Sequence, residues 1–219
     1  MQFKDILNKV DHTELKQVST WDDIKVLCDD AIKYEVASVC IPPSYVKEAS
    51  VYLAGKVPVC TVIGFPNGYN TTAVKVYETK DALANGADEI DMVINIAALK
   101  NGDYDYIKKE IEEVRDSIGA KILKVIIETC LLTDEEIIKM THICNDTFVN
   151  FIKTSTGFSD FGATVESINL IRENKSDVLE IKASGGINNM KTMQEMIDAG
   201  ATRIGTSHAI DIMEDKGDE

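Results

Sequence analysis

The chain has 219 residues, of which 44% are hydrophobic, enough to bury the core of one domain of roughly 200 to 250 residues, the size of a single α/β barrel. Its formal net charge of −14 at pH 7 argues against a nucleic-acid partner, because nucleic-acid phosphates are bound by clustered Lys and Arg. Five cysteines without a C-x-x-C pair fit neither a disulfide framework nor a structural zinc site, so we expect reduced thiols and a cytoplasmic location.

Short apolar runs alternate with helical patterns along the whole chain, which is typical of repeated βα units and a parallel sheet. The first residues form a short predicted helix, and they lack the long apolar region of a signal peptide or membrane span. Helix starts are predicted at a cap of Thr20 with Asp23 and at a capping box of Thr133 with Glu136, and helix ends at Gly55, Gly86 and Gly200. Strands are predicted near residues 10–13, 37–41, 57–63, 88–95, 122–128, 148–154, 178–184 and 202–206.

Eight βα units without a Pro/Ser/Gly-rich linker predict a closed (β/α)8 TIM barrel, with residues 1–219 as a single domain. The charged segment 212–219 is predicted to be a disordered tail. The alternative is an open doubly wound sheet, whose first βα turn should carry G-x-G-x-x-G, and the sequence contains no such motif.

Polar residues are concentrated at the predicted carboxyl ends of the strands, where the active site of a barrel lies. In chain order, Asp11 and Thr13 end the first strand, and Cys40 ends the second. Strand alternation places Asp91 on one face of the fourth strand with Val93 and Asn95, and Glu128 on one face of the fifth with Lys124 and Ile126. We therefore expect carboxylates, hydroxyls and lysines to converge at one end of the barrel.

Two lysines have the same local context on the sixth and seventh strands. Lys153 ends an apolar run and enters a Ser/Thr loop that closes at Gly157, and Lys182 enters a similar loop about 30 residues later. An isolated lysine at a strand end is most often ion-paired or snorkelling. Two together favour amine chemistry, because burial and a neighbouring cation both lower a lysine pKa and leave free amine to form a Schiff base. The spacing does not decide which lysine is the nucleophile.

Glycines follow the last three strands at Gly157, Gly185, Gly186 and Gly205, the last of these two residues before Ser207. Each alone is explained by a tight βα turn. Their agreement on consecutive strands predicts a phosphate site built from backbone N–H groups.

No metal or other cofactor is predicted. His12, His142 and His208 lie on separate segments, without H-x-x-x-H or H-E-x-x-H spacing. Cys40 has no paired histidine in the sequence, which favours a packed thiol over a nucleophile.

Together these segments resemble the deoxyribose-phosphate aldolase family, which are Schiff-base lyases with a TIM-barrel fold. The resemblance spans nearly the whole chain and is carried by residues 88–95, 124–129, 151–157, 182–187 and 203–207. It implies reversible cleavage of 2-deoxy-D-ribose 5-phosphate to acetaldehyde and D-glyceraldehyde 3-phosphate in deoxyribonucleotide catabolism. A homodimer or homotetramer would fit such a barrel.

The resemblance also implies residue roles. Lys153 would be the Schiff-base lysine, Lys182 the second lysine that adjusts its ionisation, and Asp91 the acid/base aspartate acting with a water. The matching pocket residues are Asp11, Thr13, Cys40, Glu128 and Thr156. The matching phosphate-contacting residues are Gly157, Gly185, Gly186, Gly205 and Ser207.

Three departures from the family pattern are visible. Phe158 stands where some members have a lysine, so one cationic phosphate contact is missing. The chain ends at Asp218-Glu219, where some members have a tyrosine that assists proton transfer. Glu180 precedes Lys182 by two residues, so it either pairs with a lysine or points elsewhere through a bulge.

Two other functions are compatible with these patterns. One is a different Schiff-base aldolase or a transaldolase, which would act on a ketose phosphate. The other is a sugar-phosphate-binding regulator on a barrel that has lost its activity. The presence of Lys153, Lys182 and Asp91 together argues against a regulator, since binding alone does not require an activated amine.

Overall fold

A computed structural model describes residues 6–214. Eight parallel strands close into a barrel in chain order, and β1 pairs with β8 to complete it, so the predicted (β/α)8 barrel is confirmed. The strands are β1 Val10–Thr13, β2 Ser38–Ile41, β3 Val59–Ile63, β4 Glu89–Val93, β5 Ile122–Ile126, β6 Phe151–Lys153, β7 Glu180–Ser184 and β8 Arg203–Thr206.

Helices surround the barrel and connect its strands. Both predicted caps are present, and each is a capping box, at Thr20 with Asp23 and at Thr133 with Glu136. The helices are α1 Trp21–Tyr34, α2 Val46–Leu53, α3 Thr72–Ala84, α4 Ile96–Lys100, α5 Tyr104–Ile118, α6 Asp134–Asp146, α7 Val165–Asn174, α8 Met190–Ala199 and α9 Ala209–Glu214, with 3-10 turns at Pro43–Tyr45 and Thr129–Leu131. Over the part of the chain that the structure describes, none of these helices has both the length and the apolar character needed to cross a bilayer.

The chain ends differ in part from the prediction. Residues 6 and 7 are helical, and the rest of the predicted N-terminal helix lies outside the described residues. Helix α9 includes residues 212–214, the beginning of the segment predicted to be disordered, and Ile212 is buried. Residues 215–219 of that segment lie outside the described residues.

Several strands are shorter than predicted because residues at the beginning or the end of the apolar run lie outside the ladder. The apolar run near 148–154 contributes Phe151–Lys153 to the barrel, while Phe148 adopts a left-handed φ of 52° and is 80% exposed. The run near 122–128 ends at Ile126, and Glu128 takes a left-handed φ of 54° before the turn Thr129–Leu131. At β5, the apolar run that predicts a strand therefore extends two residues beyond the end of the strand, into the loop at the barrel mouth.

The two faces of the barrel differ in polarity. Outward-facing strand residues such as Ile90, Val125 and Ile152 join the main apolar core beneath the helices. Inside the barrel, a small apolar cluster of Cys40, Cys60 and Val62 lies on one side. Alternation directs charged side chains of the other strands into the remaining interior, where they form the candidate site.

A buried ion pair outside the barrel supports the end of β4. Lys75 on α3 donates to the backbone carbonyl of Val93 at 2.8 Å and pairs with Glu110 on α5 at 2.9 Å. Both side chains are fully buried, and burial lowers the pKa of Lys75 and raises the pKa of Glu110 despite their attraction. Burial of the two charges therefore costs more free energy than their attraction returns. Loss of either partner would leave the other charge buried and unpaired.

Lys75→Met is expected to destabilise the fold by about 3 kcal/mol, because it leaves the Glu110 carboxylate buried without its cation. Adding Glu110→Leu should recover most of this loss, since apolar replacement of both members of a buried pair is often nearly neutral. Urea unfolding of the two single variants and the double variant measures this coupling. Additive losses would show that the pair does not act as a unit.

Candidate active site

Asp91 lies at the centre of the charged interior and binds three lysines. Its Oδ2 is 2.8 Å from Lys153 Nζ and 2.7 Å from Lys182 Nζ, and its Oδ1 is 2.8 Å from Lys124 Nζ. The four residues come from strands β4 to β7, which are neighbours in the barrel. The two lysines that the sequence singled out therefore share one carboxylate oxygen.

A second layer of charges lies around this centre. Lys124 also contacts Glu89 at 2.5 Å, and Arg203 contacts Asp11 at 2.6 Å and Glu89 at 3.2 Å. Asp11 in turn is ion-paired with Lys182. The cluster contains three carboxylates and four cations, namely Asp11, Glu89, Asp91, Lys124, Lys153, Lys182 and Arg203. With all seven groups ionised the cluster carries a net charge of +1, and release of one proton from one cation would make it neutral.

The cluster holds its buried groups in their charged forms. Burial alone would raise the pKa of Asp91, but Lys124, Lys153 and Lys182 hold that pKa well below its ordinary value. Burial alone would lower the pKa of Lys182, but Asp11 and Asp91 outweigh it and raise that pKa. The same carboxylates raise the pKa of Lys124 well above its ordinary value. These groups are therefore a fixed electrostatic frame at neutral pH.

Gly205 makes room for Lys182 in this frame. A Cβ at Gly205 would lie 3.0 Å from Lys182 Cε and 3.1 Å from Ser184 Cβ, tighter than ordinary side-chain packing. This glycine of β8 therefore has a packing function in addition to its position at the cavity.

An open cavity of about 380 Å³ lies above the cluster, at the carboxyl ends of the strands. Lys153 lines it, whereas Asp91 and Lys182 lie beneath and are fully buried. Seven of the predicted binding residues line the cavity: Thr13, Thr156, Gly157, Gly185, Gly186, Gly205 and Ser207. An amine on the floor of a cavity beside a carboxylate can attack a carbonyl group.

The other three predicted binding residues do not line this cavity. Asp11 is two residues before Thr13 on β1, and it is fully buried among Lys182, Arg203 and Ser38. Cys40 is buried beside Cys60, whose thiol hydrogen bond lowers the pKa of Cys40. Burial raises the pKa of Cys60 well above its ordinary value, and its Sγ donates to Asp91 Oδ1 at 3.2 Å. Asp11 and Cys40 therefore lie behind the cavity wall.

Glu128, the third of these residues, holds the loop that follows Lys153. Its carboxylate accepts hydrogen bonds from the backbone N–H and the hydroxyl of Thr156, at 3.1 and 2.5 Å. The hydroxyl of Thr156 also accepts from the N–H of Phe158 at 3.0 Å. Glu128 thereby fixes the Ser/Thr loop against the cavity from β5.

Two groups of buried side chains have metal-ligand spacing. They are Cys40, Cys60 and Asp91, and Asp11, Cys60 and Glu89. In both groups the carboxylates are paired with Lys124, Lys182 or Arg203. These ammonium and guanidinium groups already supply the positive charge that a metal would bring.

Two of the departures from the family pattern have clear places in the structure. Phe158 packs edge to face on Phe65, with ring centroids 5.3 Å apart, across the cavity mouth. Glu180 begins β7 in regular register opposite Phe151, and it accepts a hydrogen bond from Thr202 at 2.8 Å. Lys182, two residues further along the strand, instead pairs with Asp11 and Asp91. Both explanations offered for Glu180, a lysine partner or a bulge, are therefore replaced by a simple position at the amino-terminal end of the barrel.

The sequence interpretation missed three members of the cluster. Lys124 was placed on the inner face without a role, and Glu89 and Arg203 were given none. All three follow the alternation of their strands, since Glu89 is in phase with Asp91 and Arg203 lies opposite Lys182 in the ladder. Charged residues in phase with the predicted site residues, on the same strand or on a neighbouring one, could have identified these three residues in the sequence.

Comparisons with known proteins agree over nearly the whole chain. The model of the DeoC/LacD family aldolases matches residues 6–210. A protein of Clostridioides difficile (strain 630), called deoxyribose-phosphate aldolase, is 56% identical over 213 residues, which is 97% of each chain.

Two solved structures have the same architecture. One, described as QR15, an aldolase, has 41% identity and a TM-score of 0.93, over 98% of this chain and 96% of that one. The other is a deoxyribose phosphate aldolase from Aeropyrum pernix, described as a unique tetrameric structure, with 26% identity and a TM-score of 0.90 over 99% and 92%.

Proposed function

This chain belongs to the DeoC/LacD family of aldolases and is therefore a lyase, and from that premise we propose that its substrate is 2-deoxy-D-ribose 5-phosphate. The products are acetaldehyde and D-glyceraldehyde 3-phosphate, and the reaction is reversible. The observation that carries the proposal is the position of Lys153, whose amine reaches the cavity floor while bound to Asp91 at 2.8 Å. The name of the relative from C. difficile supports the substrate assignment.

The proposed reaction begins when the neutral amine of Lys153 attacks the C1 aldehyde of the open-chain sugar. Loss of water gives a protonated imine, which withdraws electrons from the adjacent carbons. Removal of the proton from the 3-hydroxyl then breaks the C2–C3 bond, releasing D-glyceraldehyde 3-phosphate and leaving an enamine on Lys153. Protonation of the enamine at C2 and hydrolysis of the imine release acetaldehyde.

The charged frame suits this chemistry because it holds two of the three interior lysines in their charged forms and leaves Lys153 at the cavity. Asp11 and Asp91 raise the pKa of Lys124 and of Lys182, whereas Lys153, among the described residues, is ion-paired with Asp91 alone and lines the cavity. Asp91 remains a carboxylate at rest, since its neighbouring lysines keep its pKa low. A carboxyl group with a low pKa releases a proton soon after accepting it. Asp91 therefore fits a role in transferring protons between Lys153, a water and the substrate.

The phosphate would bind at the wall of the cavity formed by the loops that follow β6, β7 and β8. Gly157, Gly185, Gly186, Gly205 and Ser207 line this wall. Gly185 and Gly162 bring two loops together, since a Cβ on Gly162 would fall 2.0 Å from the Gly185 carbonyl oxygen. The phosphate would then accept hydrogen bonds from backbone N–H groups of these glycine loops.

We further propose a metal-independent reaction in cytoplasmic deoxyribonucleotide catabolism, with small molecules as the direct partners. The protonated imine itself is the electron sink, so the mechanism requires no Lewis acid. The described structure of the A. pernix relative supports a homo-oligomer, either a homodimer or a homotetramer.

The substrate assignment is tested by assaying release of acetaldehyde from 2-deoxy-D-ribose 5-phosphate, with fructose phosphates assayed in parallel. Cleavage of the deoxyribose phosphate alone supports the proposal. Preference for a fructose phosphate would assign a different Schiff-base aldolase or a transaldolase. Tight binding without turnover would instead assign a sugar-phosphate-binding regulator.

Lys182→Leu is expected to lower the rate about 100-fold and to shift the rising limb of the pH–rate profile to higher pH. It removes a cation that shares Asp91 Oδ2 with Lys153, leaving Asp11 and Asp91 less compensated and stabilising the protonated form of the amine. The measurement is kcat between pH 6 and about 10, with Lys191→Leu, an exposed lysine on α8, as control. An unshifted profile would show that Lys182 has a different role.

A further inference from the structure

The loop after β1 brings a lysine to the cavity mouth that neither the family pattern nor the sequence reasoning identified. Lys16 lines the cavity above Lys153 and also a neighbouring cavity of about 350 Å³, beyond Phe65 and Phe158. Its side chain is 71% exposed and lies 3.5 Å from Glu14. Among the residues that line the first cavity, the Lys and Arg side chains are those of Lys16 and Lys153.

Glu14 is a fixed anion at the same mouth. Its carboxylate accepts hydrogen bonds from the Ser19 hydroxyl at 2.7 Å and from the Lys16 backbone N–H at 2.8 Å. Burial acts to raise the pKa of Glu14, but these hydrogen bonds and the charge of Lys16 lower it overall. An incoming phosphate dianion therefore meets a carboxylate whose charge Lys16 offsets.

The loop after β6 does not supply a cation here. The residue that follows Gly157 in this loop is Phe158, and its ring packs on Phe65. The β1 loop is well placed to compensate, because β1 pairs with β8, with Asp11 opposite Gly205. Thr13 and Lys16 therefore lie beside the loop that contains Ser207, on the wall proposed for the phosphate.

We propose that Lys16 provides the cationic contact to the substrate phosphate and sets the preference for phosphorylated over unphosphorylated sugars. The proposal rests on the proposed function, because it assigns a residue to the phosphate end of that substrate. The flexible four-carbon stem of Lys16 allows the ammonium to swing from Glu14 to a ligand of higher charge. In a chain of net charge −14, this lysine also attracts the anion to the cavity.

The test compares Lys16→Met and Lys16→Arg with Lys109→Met, which removes an equally exposed lysine on α5 and its pairing with Glu113. With 2-deoxy-D-ribose 5-phosphate, Lys16→Met should lower kcat/KM about tenfold, mainly through KM, as expected for one partly exposed charge-assisted contact. With unphosphorylated 2-deoxy-D-ribose the loss should be less than twofold. Lys16→Arg should retain most of the activity, and Lys109→Met all of it.

A second readout separates this proposal from the proposed function. Inorganic phosphate should bind to the wild-type protein more tightly than to Lys16→Met, measured by calorimetry without any turnover. If the wild type cleaves no deoxyribose phosphate, the proposed function fails, and the phosphate affinities alone decide the role of Lys16. Equal losses on both sugars, or no difference from Lys109→Met, would overturn the assignment.

Discussion

Lys153→Ala is expected to reduce aldolase turnover by at least about 10⁴-fold, because among the described residues the other lysine that lines the cavity, Lys16, lies at its mouth and not beside Asp91. Lys182 cannot replace it, since it lies fully buried beneath the floor between Asp11 and Asp91. The fold should survive the change. Removing Lys153 leaves three cations facing three carboxylates, so no buried charge is left uncompensated.

The covalent step is tested by borohydride reduction in the presence of 2-deoxy-D-ribose 5-phosphate or acetaldehyde, with a chelator added, followed by peptide mass mapping. A reduced adduct on Lys153 in the wild type, and none in Lys153→Ala, is the expected result. Circular dichroism and thermal unfolding should show the variant to be as folded as Lys109→Ala, a surface control on α5. An adduct on Lys182 would exchange the roles of the two lysines, and retained activity in Lys153→Ala would refute the mechanism.

The sequence was sufficient to predict the barrel because each βα unit carries its own local signals. The capping boxes at Thr20 and Thr133 mark helix starts without reference to the rest of the fold. Strand alternation likewise places Lys153 in phase with Phe151, and Lys182 in phase with Glu180, whatever the partners of those strands. At these positions the structure favoured by the local sequence is the one found in the complete barrel. Such agreement is typical of sequences that strongly favour one structure.

The position of each inward-facing side chain along the barrel axis could not be predicted in the same way. Asp11 and Thr13 share a face of β1, yet Thr13 reaches the cavity and Asp11 is enclosed by Lys182 and Arg203. Which residue meets the ligand depends on barrel closure and on how far each strand extends, and these arise from contacts between residues far apart in the chain. Glu180 illustrates the same point, because its inward phase places it at the opposite end from the cavity.

The charged interior was the largest omission for a related reason. Arg203 and Glu89 are separated by 114 positions and meet only when β4 and β8 face each other across the closed barrel. In the sequence, Glu89 and Arg203 are each a charged residue at the start of a strand, with nothing nearby to indicate a partner. Glu89 helps to raise the pKa of Lys124, and Lys124 in turn helps to hold the pKa of Asp91 below its ordinary value.

Asp91→Asn is expected to affect both stability and activity, because Asp91 is the anion that all three interior lysines share. The amide removes the charge and turns one oxygen into a donor that faces ammonium groups. Four cations would then face the two remaining carboxylates, Asp11 and Glu89. We expect a loss of about 3–5 kcal/mol in the free energy of unfolding, and a loss of about 10³-fold in kcat.

The stability loss should depend on pH in a defined direction. The pKa of Asp91 in the folded protein lies well below its ordinary value, so its contribution is fully present above about pH 5. The contribution decreases as pH falls below about 4 towards the folded-state pKa, because the unfolded chain then binds the proton first. The difference between wild type and Asp91→Asn, measured by urea unfolding, should therefore be constant near neutral pH and shrink in acid.

A double variant separates the structural role of Asp91 from its chemical role. Adding Lys124→Met to Asp91→Asn removes one of the uncompensated cations, so stability should partly recover. Activity should not recover, since the proton relay beside Lys153 would still lack its carboxylate. If kcat returned together with stability, Asp91 would be an electrostatic support for the lysines, and the proton transfers would have to be assigned to another group in the cavity.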